Sequence, residues 1–259
     1  MADIKDYNVY ISRMQKSVYD KLFFVDKIFG KIDAFLDFGC ADGELIKYVH
    51  SFMSDVHFIG YDVDEEMIRR AKKNVPCAEF FSDWDEIKCN PETTILNLSS
   101  VIHEVYTYQT QTEVTKFWDR VLNTGFKYIV IRDMAYSPTS GPQTKLLKRL
   151  YNRIENSEYK DKLADYEAIW GKINDSKNML HFLLKYKYDE NWEREVKENY
   201  IPLPVKIYDR MFEKSDYTVE VKRVYTLQYV RNLIREEFGE DIAGISTHMK
   251  YILRRKDLK

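Results

Sequence analysis

Two hydrophobic rhythms alternate along the first half of the chain. Short apolar runs ending in or next to an acid, such as Phe35-Leu36-Asp37 and Phe58-Ile59-Gly60-Tyr61-Asp62, have the length and aromatic or β-branched content of buried strands. They predict strands near 33–38, 56–62, 77–81, 93–98 and 126–132. Between them, apolar residues recur at helical spacing and predict helices near 43–52, 64–74, 100–107 and 111–123. Ahead of the first strand, Ile11, Met14, Val18, Leu22 and Val25 make a helical stripe from about Tyr7 to Gly30. Strand alternating with helix is the pattern of an α/β protein, a doubly wound, mostly parallel sheet covered on both faces.

After Asp133 the alternation stops. Ser137-Pro138-Thr139-Ser140-Gly141-Pro142 is a turn-rich break, followed by helical patterns near 142–156, 159–173 and 176–200, and Ile201-Pro202-Leu203-Pro204 closes this helical insertion after strand five. Strand-like sequence returns at Tyr217–Val224, a helix fits 227–238, and Thr247–Leu253 reads as a seventh strand. The expected organisation is an N-terminal helix at 1–30, a core at 31–135, an insertion or lid at 136–216 and completion of the sheet at 217–259.

The candidate chemistry begins at Phe35-Leu36-Asp37-Phe38-Gly39-Cys40-Ala41-Asp42-Gly43. Gly39 and Gly43 can take positive φ and bring bare backbone against a ligand. A G-x-G-x-x-G dinucleotide loop would need glycine at Ala41 and Glu44, so a pyrophosphate cradle is not expected. Asp62 lies nineteen residues past Gly43, close to where a doubly wound fold places its ribose-binding carboxylate, while Asp64 is suited to cap the following helix.

The stretch resembles the first motif of the Rossmann-like (class I) S-adenosylmethionine (SAM) dependent methyltransferases, an acidic-x-Gly-x-x-x-Gly loop matched by Asp37, Gly39 and Gly43, with Ala41 in place of a frequent middle glycine. The resemblance covers about 31–134 and 217–256. It implies a seven-stranded sheet whose last strand is antiparallel, and SAM as cofactor. It also implies that Asp37, Gly39, Cys40, Ala41 and Gly43 hold the methionine part and Asp62 the ribose. Asp83 would accept from the adenine amino group and Trp84 would lie on its ring, although Asp83 could equally cap a turn and Trp84 pack inward. Asn97 and Ser99, at the end of strand four, fall on the same cofactor edge because ligands bind beyond the carboxyl ends of the strands.

His103 follows strand four and is the candidate general base, since an imidazole accepts a proton near neutral pH. Glu104 beside it would not share its helical face, whereas Ser99 and Ser100 at i−4 and i−3 would; Asp133 from the fifth strand is a better distant partner for the ring. The spacing is not H-E-x-x-H, so no metal site is expected. The Asp/Asn-Pro-Pro-Tyr motif of exocyclic-amine methylation is absent, and the one Pro-Cys pair, Pro76-Cys77, opens strand three. An oxygen acceptor is favoured, with nitrogen open. Tyr7, Tyr10, Tyr106, Tyr108, Tyr136 and Tyr151 could line an aromatic pocket, and Asn178–Glu195, mixing aromatic and basic side chains, reads as a lid or as a packing helix.

Composition trims the alternatives. Three cysteines without C-x-x-C spacing indicate neither a disulfide framework nor a zinc site. There is no run of 18 or more apolar residues and no secretion signal at the start, so a soluble, cytoplasmic protein without membrane contact is expected. The net charge of −2 divides into −6 over residues 1–135 and +4 over 136–259, so the second half could face an anion. The leading expectation is O-methylation of a small-molecule acceptor. Two alternatives stand: an RNA or nucleotide-end methyltransferase using Lys145, Lys148, Arg149 and Arg153, and a SAM-binding scaffold without catalysis.

Overall fold

The computed structural model describes residues 17–137 and 144–257. Seven strands form one sheet: β1 Ala34–Phe38, β2 His57–Tyr61, β3 Glu79–Phe81, β4 Thr94–Ser99, β5 Tyr128–Met134, β6 Tyr217–Tyr225 and β7 His248–Arg255, in the order β3-β2-β1-β4-β5-β7-β6. The first five strands pair in parallel, and β7 runs antiparallel to both β5 and β6. Leu36 of β1 sits in register between Ile59 and Leu96, so the order reverses at β1 and β4, which is where an open sheet leaves its ligand crevice.

Neighbouring residues on each inner strand point to opposite faces, and both faces are dry. Phe35, Phe58, Ile95 and Val130 join one cluster, while Leu36, Ile59, Leu96 and Ile129 join the other. This double burial is why the strands read as continuous apolar runs instead of alternating ones. Around them lie α1 Val18–Lys21, α2 Glu44–His50, α3 Glu65–Asn74, α4 Ile102–Tyr108 and α5 Gln111–Asn123. Asp64 caps α3 by accepting from the amides of Glu66 and Met67, and Thr110 with Glu113 forms a capping box on α5.

The insertion carries α6 Thr144–Glu155, α7 Lys160–Trp170, α8 Ser176–Leu183 and α9 Trp192–Glu195; beyond it come α10 Val205–Glu213 and, after β6, α11 Gln228–Phe238. Leu150, Ile154, Tyr166, Phe182 and Tyr186 build a third core that Ile234 and Phe238 of α11 share. The insertion is therefore packed onto the sheet domain's last helix.

Three expectations about elements change. The first helix does not run to Gly30. It stops at Lys21 and gives way to tight turns, Val25 N to Leu22 O and Lys27 N to Phe24 O, which let Phe24 stack on Phe35 at 5.6 Å. Tyr7, Tyr10, Ile11 and Met14, like the break at 138–143, lie outside the described residues. The helix expected over 176–200 is two short ones, because past Leu184 the amides of Lys185 and Tyr188 bond three residues back. Finally, α10 was not expected. Its Tyr208 and Phe212 pack against Trp118, and Phe212 also meets Tyr251.

Candidate active site

The turn after β1 is a left-handed bend. Gly39 and Gly43 have φ of +77° and +79°, and Ala41 between them has φ of +47°. A Cβ at Gly39 would come within 2.6 Å of Val101 Cγ2, so this glycine is required by the close approach of the strand-four loop as well as by its backbone angle. Ala41 is held in its unfavourable conformation by Asp62, whose Oδ2 accepts the Ala41 amide at 2.8 Å while Oδ1 accepts that of Asp64 at 3.0 Å. A carboxylate has about four lone-pair sites, so Asp62 retains capacity to accept from a ligand. Burial raises its pKa, against the pull of the amides from Asp64 and Ala41.

Asp37 is buried one residue short of the strand end, and its Oδ1 accepts from Asn97 Nδ2 at 2.7 Å across the β1–β4 pair. Burial pushes its pKa up despite that bond. Two buried atoms on β4, Asn97 Oδ1 and Ser99 Oγ, have no hydrogen-bond partner. Unmatched polar atoms at the carboxyl edge of a sheet are what a polar ligand would satisfy. The Cys40 thiol is buried and raised well above its ordinary pKa by that burial and by Asp62, so it is not poised as a nucleophile. Asp83 is exposed and caps its own turn by accepting from the Asp85 amide at 2.9 Å. Trp84 packs against Phe38 and Tyr61 with ring centroids 5.0 and 5.3 Å apart, and Arg120 lies over its ring at 5.6 Å.

The residues expected to do chemistry meet across β4 and β5. His103 Nδ1 lies 2.9 Å from Asp133 Oδ1, and Asp133 Oδ2 accepts the Ile102 amide at 2.8 Å. The same carboxylate thus caps α4 and orients the ring that α4 carries. Ser99 and Ser100 do not touch the ring. They precede the helix, which starts at Ile102, and Ser100 Oγ accepts from Arg132 Nη1 at 2.7 Å instead. Burial opposes charging of His103, but Asp133, with help from Glu104 and Glu198, wins and lifts its pKa to about 9.

His103 Nε2 looks the other way, to Glu198 Oε2 at 3.9 Å. This partner comes from the insertion and was not anticipated. Glu198 accepts from the Tyr108 hydroxyl at 2.6 Å and faces Arg194 Nη2 at 2.8 Å. His103, Glu104 and Glu198 each bring a possible ligand atom within 4.8 Å of the others, the arrangement a divalent cation would use. Arg194 already supplies positive charge there, 3.6 Å from Glu104 Oε1 as well. Arg194 thus answers part of the carboxylate charge of the cluster from within the chain.

His103 opens onto a cavity of about 440 Å³ bounded by β5, the insertion and α11. Its aromatic lining is Tyr188, Tyr200 and Tyr229. Of the tyrosines expected to line a pocket, Tyr108 binds Glu198, Tyr106 accepts from Trp118 at 3.0 Å, and Tyr136 and Tyr151 pack on the insertion core. Arg132, beside Asp133 at the end of β5, and Lys21, which no sequence motif marks, also line the cavity. The aromatic and basic stretch Asn178–Glu195 ends just short of Glu198, the acid that reaches His103 and Tyr108.

No protein-family model matches this sequence, and no curated protein does. Solved structures match at the level of fold. The mitomycin 7-O-methyltransferase MmcR superposes with a TM-score of 0.55 at 12% identity over 98% of this chain, which spans 58% of MmcR. The methyltransferase domain of bacterial CtHen1-C gives 0.51 at 12% identity over 94% of this chain and 96% of the other. The plantazolicin methyltransferase BpumL, solved with a desmethylPZN analog and SAH, gives 0.50 at 10% identity over 94% and 84%. Together with the strand order and the antiparallel β7, they define the fold as the Rossmann-like fold of class I SAM-dependent methyltransferases.

Proposed function

We propose that this protein is a SAM-dependent methyltransferase that methylates an oxygen of a small-molecule acceptor held in the cavity beside His103. The observation that carries this reading is the Asp133–His103 pair, hydrogen-bonded at 2.9 Å, with His103 on the wall of that cavity and its Nε2 facing Glu198 Oε2, 3.9 Å away on the same lining. The residues present fit the cofactor: Asp62 has lone pairs to spare for ribose hydroxyls, Trp84 offers a flat apolar surface, and Asn97 Oδ1 and Ser99 Oγ are unmatched acceptors beside the glycine bend. Bound SAM would supply a methyl group on a sulfonium, already a good leaving group.

The chain's own work is then alignment and proton removal. Walls from β5, the insertion and α11 hold the acceptor, and such approximation can supply roughly 7 to 11 kcal/mol. His103 Nε2 takes the hydroxyl proton as the oxygen attacks, and Asp133 stabilises the imidazolium that results while fixing the ring through Nδ1–H.

A small acceptor is favoured over RNA by the fate of the basic helix. Arg149 and Arg153 of α6 are both drawn onto Glu240, at 2.8 and 3.3 Å, so two of the four basic side chains expected to meet phosphates are paired within the chain. No helix among the described residues is long and apolar enough to cross a membrane.

The test uses methyl-labelled SAM and a mixture of small organic acids, alcohols and phenols, with products read by mass spectrometry. Label should appear in a small molecule, and His103→Ala should lower its formation by about 10²- to 10⁴-fold with SAH affinity retained. SAH binding without label transfer to any acceptor would favour a scaffold, and label in RNA the nucleic-acid reading.

A further inference from the structure

Two cations on the cavity wall have hydrogen-bonding capacity that the protein leaves unused. Arg132, 3% exposed, donates Nε to Asp20 Oδ2 at 2.9 Å and Nη1 to Ser100 Oγ at 2.7 Å, but its buried Nη2 has no partner. Lys21, 9% exposed, has no side-chain hydrogen bond or ion pair among the described residues. Both line the cavity that His103 opens onto.

The carboxylate that Arg132 contacts is already shared. Asp20 accepts from Arg132, from Lys250 at 2.5 Å and from the Tyr225 hydroxyl at 2.5 Å, so one acid answers two cations. The acids that act on Lys21 are engaged as well: Asp37 by Asn97, Asp133 by His103, and Glu104 by Arg194. A buried guanidinium N–H and a buried ammonium without acceptors are costly unless something charged completes them. An oxyanion does so with short, charge-assisted hydrogen bonds.

The opposite wall is of another kind. Leu183, Leu227, Val230 and Leu233 supply apolar surface, and Tyr188 adds a ring. None of Gly39, Cys40, Ala41, Gly43, Asp62 or Trp84 lines the cavity, which adjoins the carboxyl edge of the sheet through Ser100 and Arg132.

We infer that Lys21 and Arg132 form an anion subsite for the methyl acceptor, which is a small organic acid, a carboxylate or phosphate monoester with an apolar body and a hydroxyl directed to His103. This inference rests on the methyltransferase reading and narrows it to a substrate class. The subsite explains why a helix N-terminal to the sheet buries a lysine beside β5. Lys21 positions the acid, and the oxygen to be methylated lies toward the His103 side of the same cavity.

Calorimetry on the full chain saturated with SAH tests it, using benzoate, phenyl phosphate and the neutral benzyl alcohol as probes. At least one anion should bind saturably and benzyl alcohol at least about tenfold more weakly. Lys21→Met, which removes no hydrogen bond to a described residue, and Arg132→Lys should each weaken the anion by at least about tenfold while SAH affinity stays within about threefold. The carboxylate and phosphate arms tell which oxyanion is preferred. Equal binding of benzyl alcohol, no binding of either anion, or anion binding untouched by Lys21→Met would overturn the inference. So would a loss of SAH affinity in Lys21→Met without a loss for 5′-methylthioadenosine, since the cations would then hold the cofactor's own carboxylate. Failure of the wild-type chain to bind SAH would strike the methyltransferase reading instead.

Discussion

His103 is surrounded by acids from three elements: Asp133 of β5, Glu104 beside it on α4, and Glu195 and Glu198 of the insertion, with Arg194 and the more distant Lys21 as the opposing cations. This setting lifts its pKa to about 9, so near pH 7 only about one molecule in a hundred carries the neutral ring a base needs. The sign follows: the proton-accepting form grows as pH rises and saturates above the folded pKa. Turnover should therefore climb about tenfold per pH unit from neutrality and level off near 9, and the Asp133→Asn variant should shift the rise to lower pH while slowing the plateau. A pH–rate profile of both proteins checks this; a flat profile between 7 and 9 would remove His103 as the base. Asp62 allows a second test at this scale. Its carboxylate ties down Ala41, so Asp62→Ala loosens the bend and removes a ribose acceptor together, and SAH affinity should fall by about tenfold or more in calorimetry. Unchanged affinity would release Asp62 from that role.

The elements divide by how fully the sheet buries them. β1, β4 and β5 are dry on both faces, so their apolar runs are plain in the sequence, and so are the acids Asp37 and Asp133 that interrupt them. The insertion conceals its design because it buries charge. Lys185, Arg194, Glu195 and Glu198 lie at 0 to 5% exposure, yet their residue types suggest a solvated helix face, and spacing alone predicts a continuous helix over 176–200. Their partners are distant in sequence: Tyr108 binds Glu198 across 90 positions. No local pattern encodes such pairing. α10 is different, since Val205, Tyr208 and Phe212 form a helical stripe that Pro202 and Pro204 obscure. That helix closes the core under Trp118 and Tyr251 with Phe212 fully buried. Phe212→Ala should destabilise the fold by about 3 to 5 kcal/mol in urea unfolding, and a loss below about 1 kcal/mol would mean that α10 is not part of the cooperative core.

For the whole molecule the question is what its charge asymmetry is for. The positive second half, +4 over residues 136–259, invites a polyanion. Much of that charge is spent internally: Arg149 and Arg153 meet Glu240, Arg231 and Arg235 meet Asp241, and Arg254 meets Glu220. The cations that lack a full complement of acceptors, Arg132 and Lys21, belong to the first half and are buried at the cavity instead of spread over a surface groove. The two arrangements respond differently to salt. A protein that neutralises 6 to 10 phosphates loses about 10³- to 10⁵-fold in affinity between roughly 50 and 200 mM salt, because bound counterions are released. A buried pair of cations engages one small anion out of reach of most screening, and over the same range KM for an acidic acceptor should change by less than about tenfold. Steady-state kinetics across that salt series decides between them, and a steep loss would return the basic half to the role of a nucleic-acid surface.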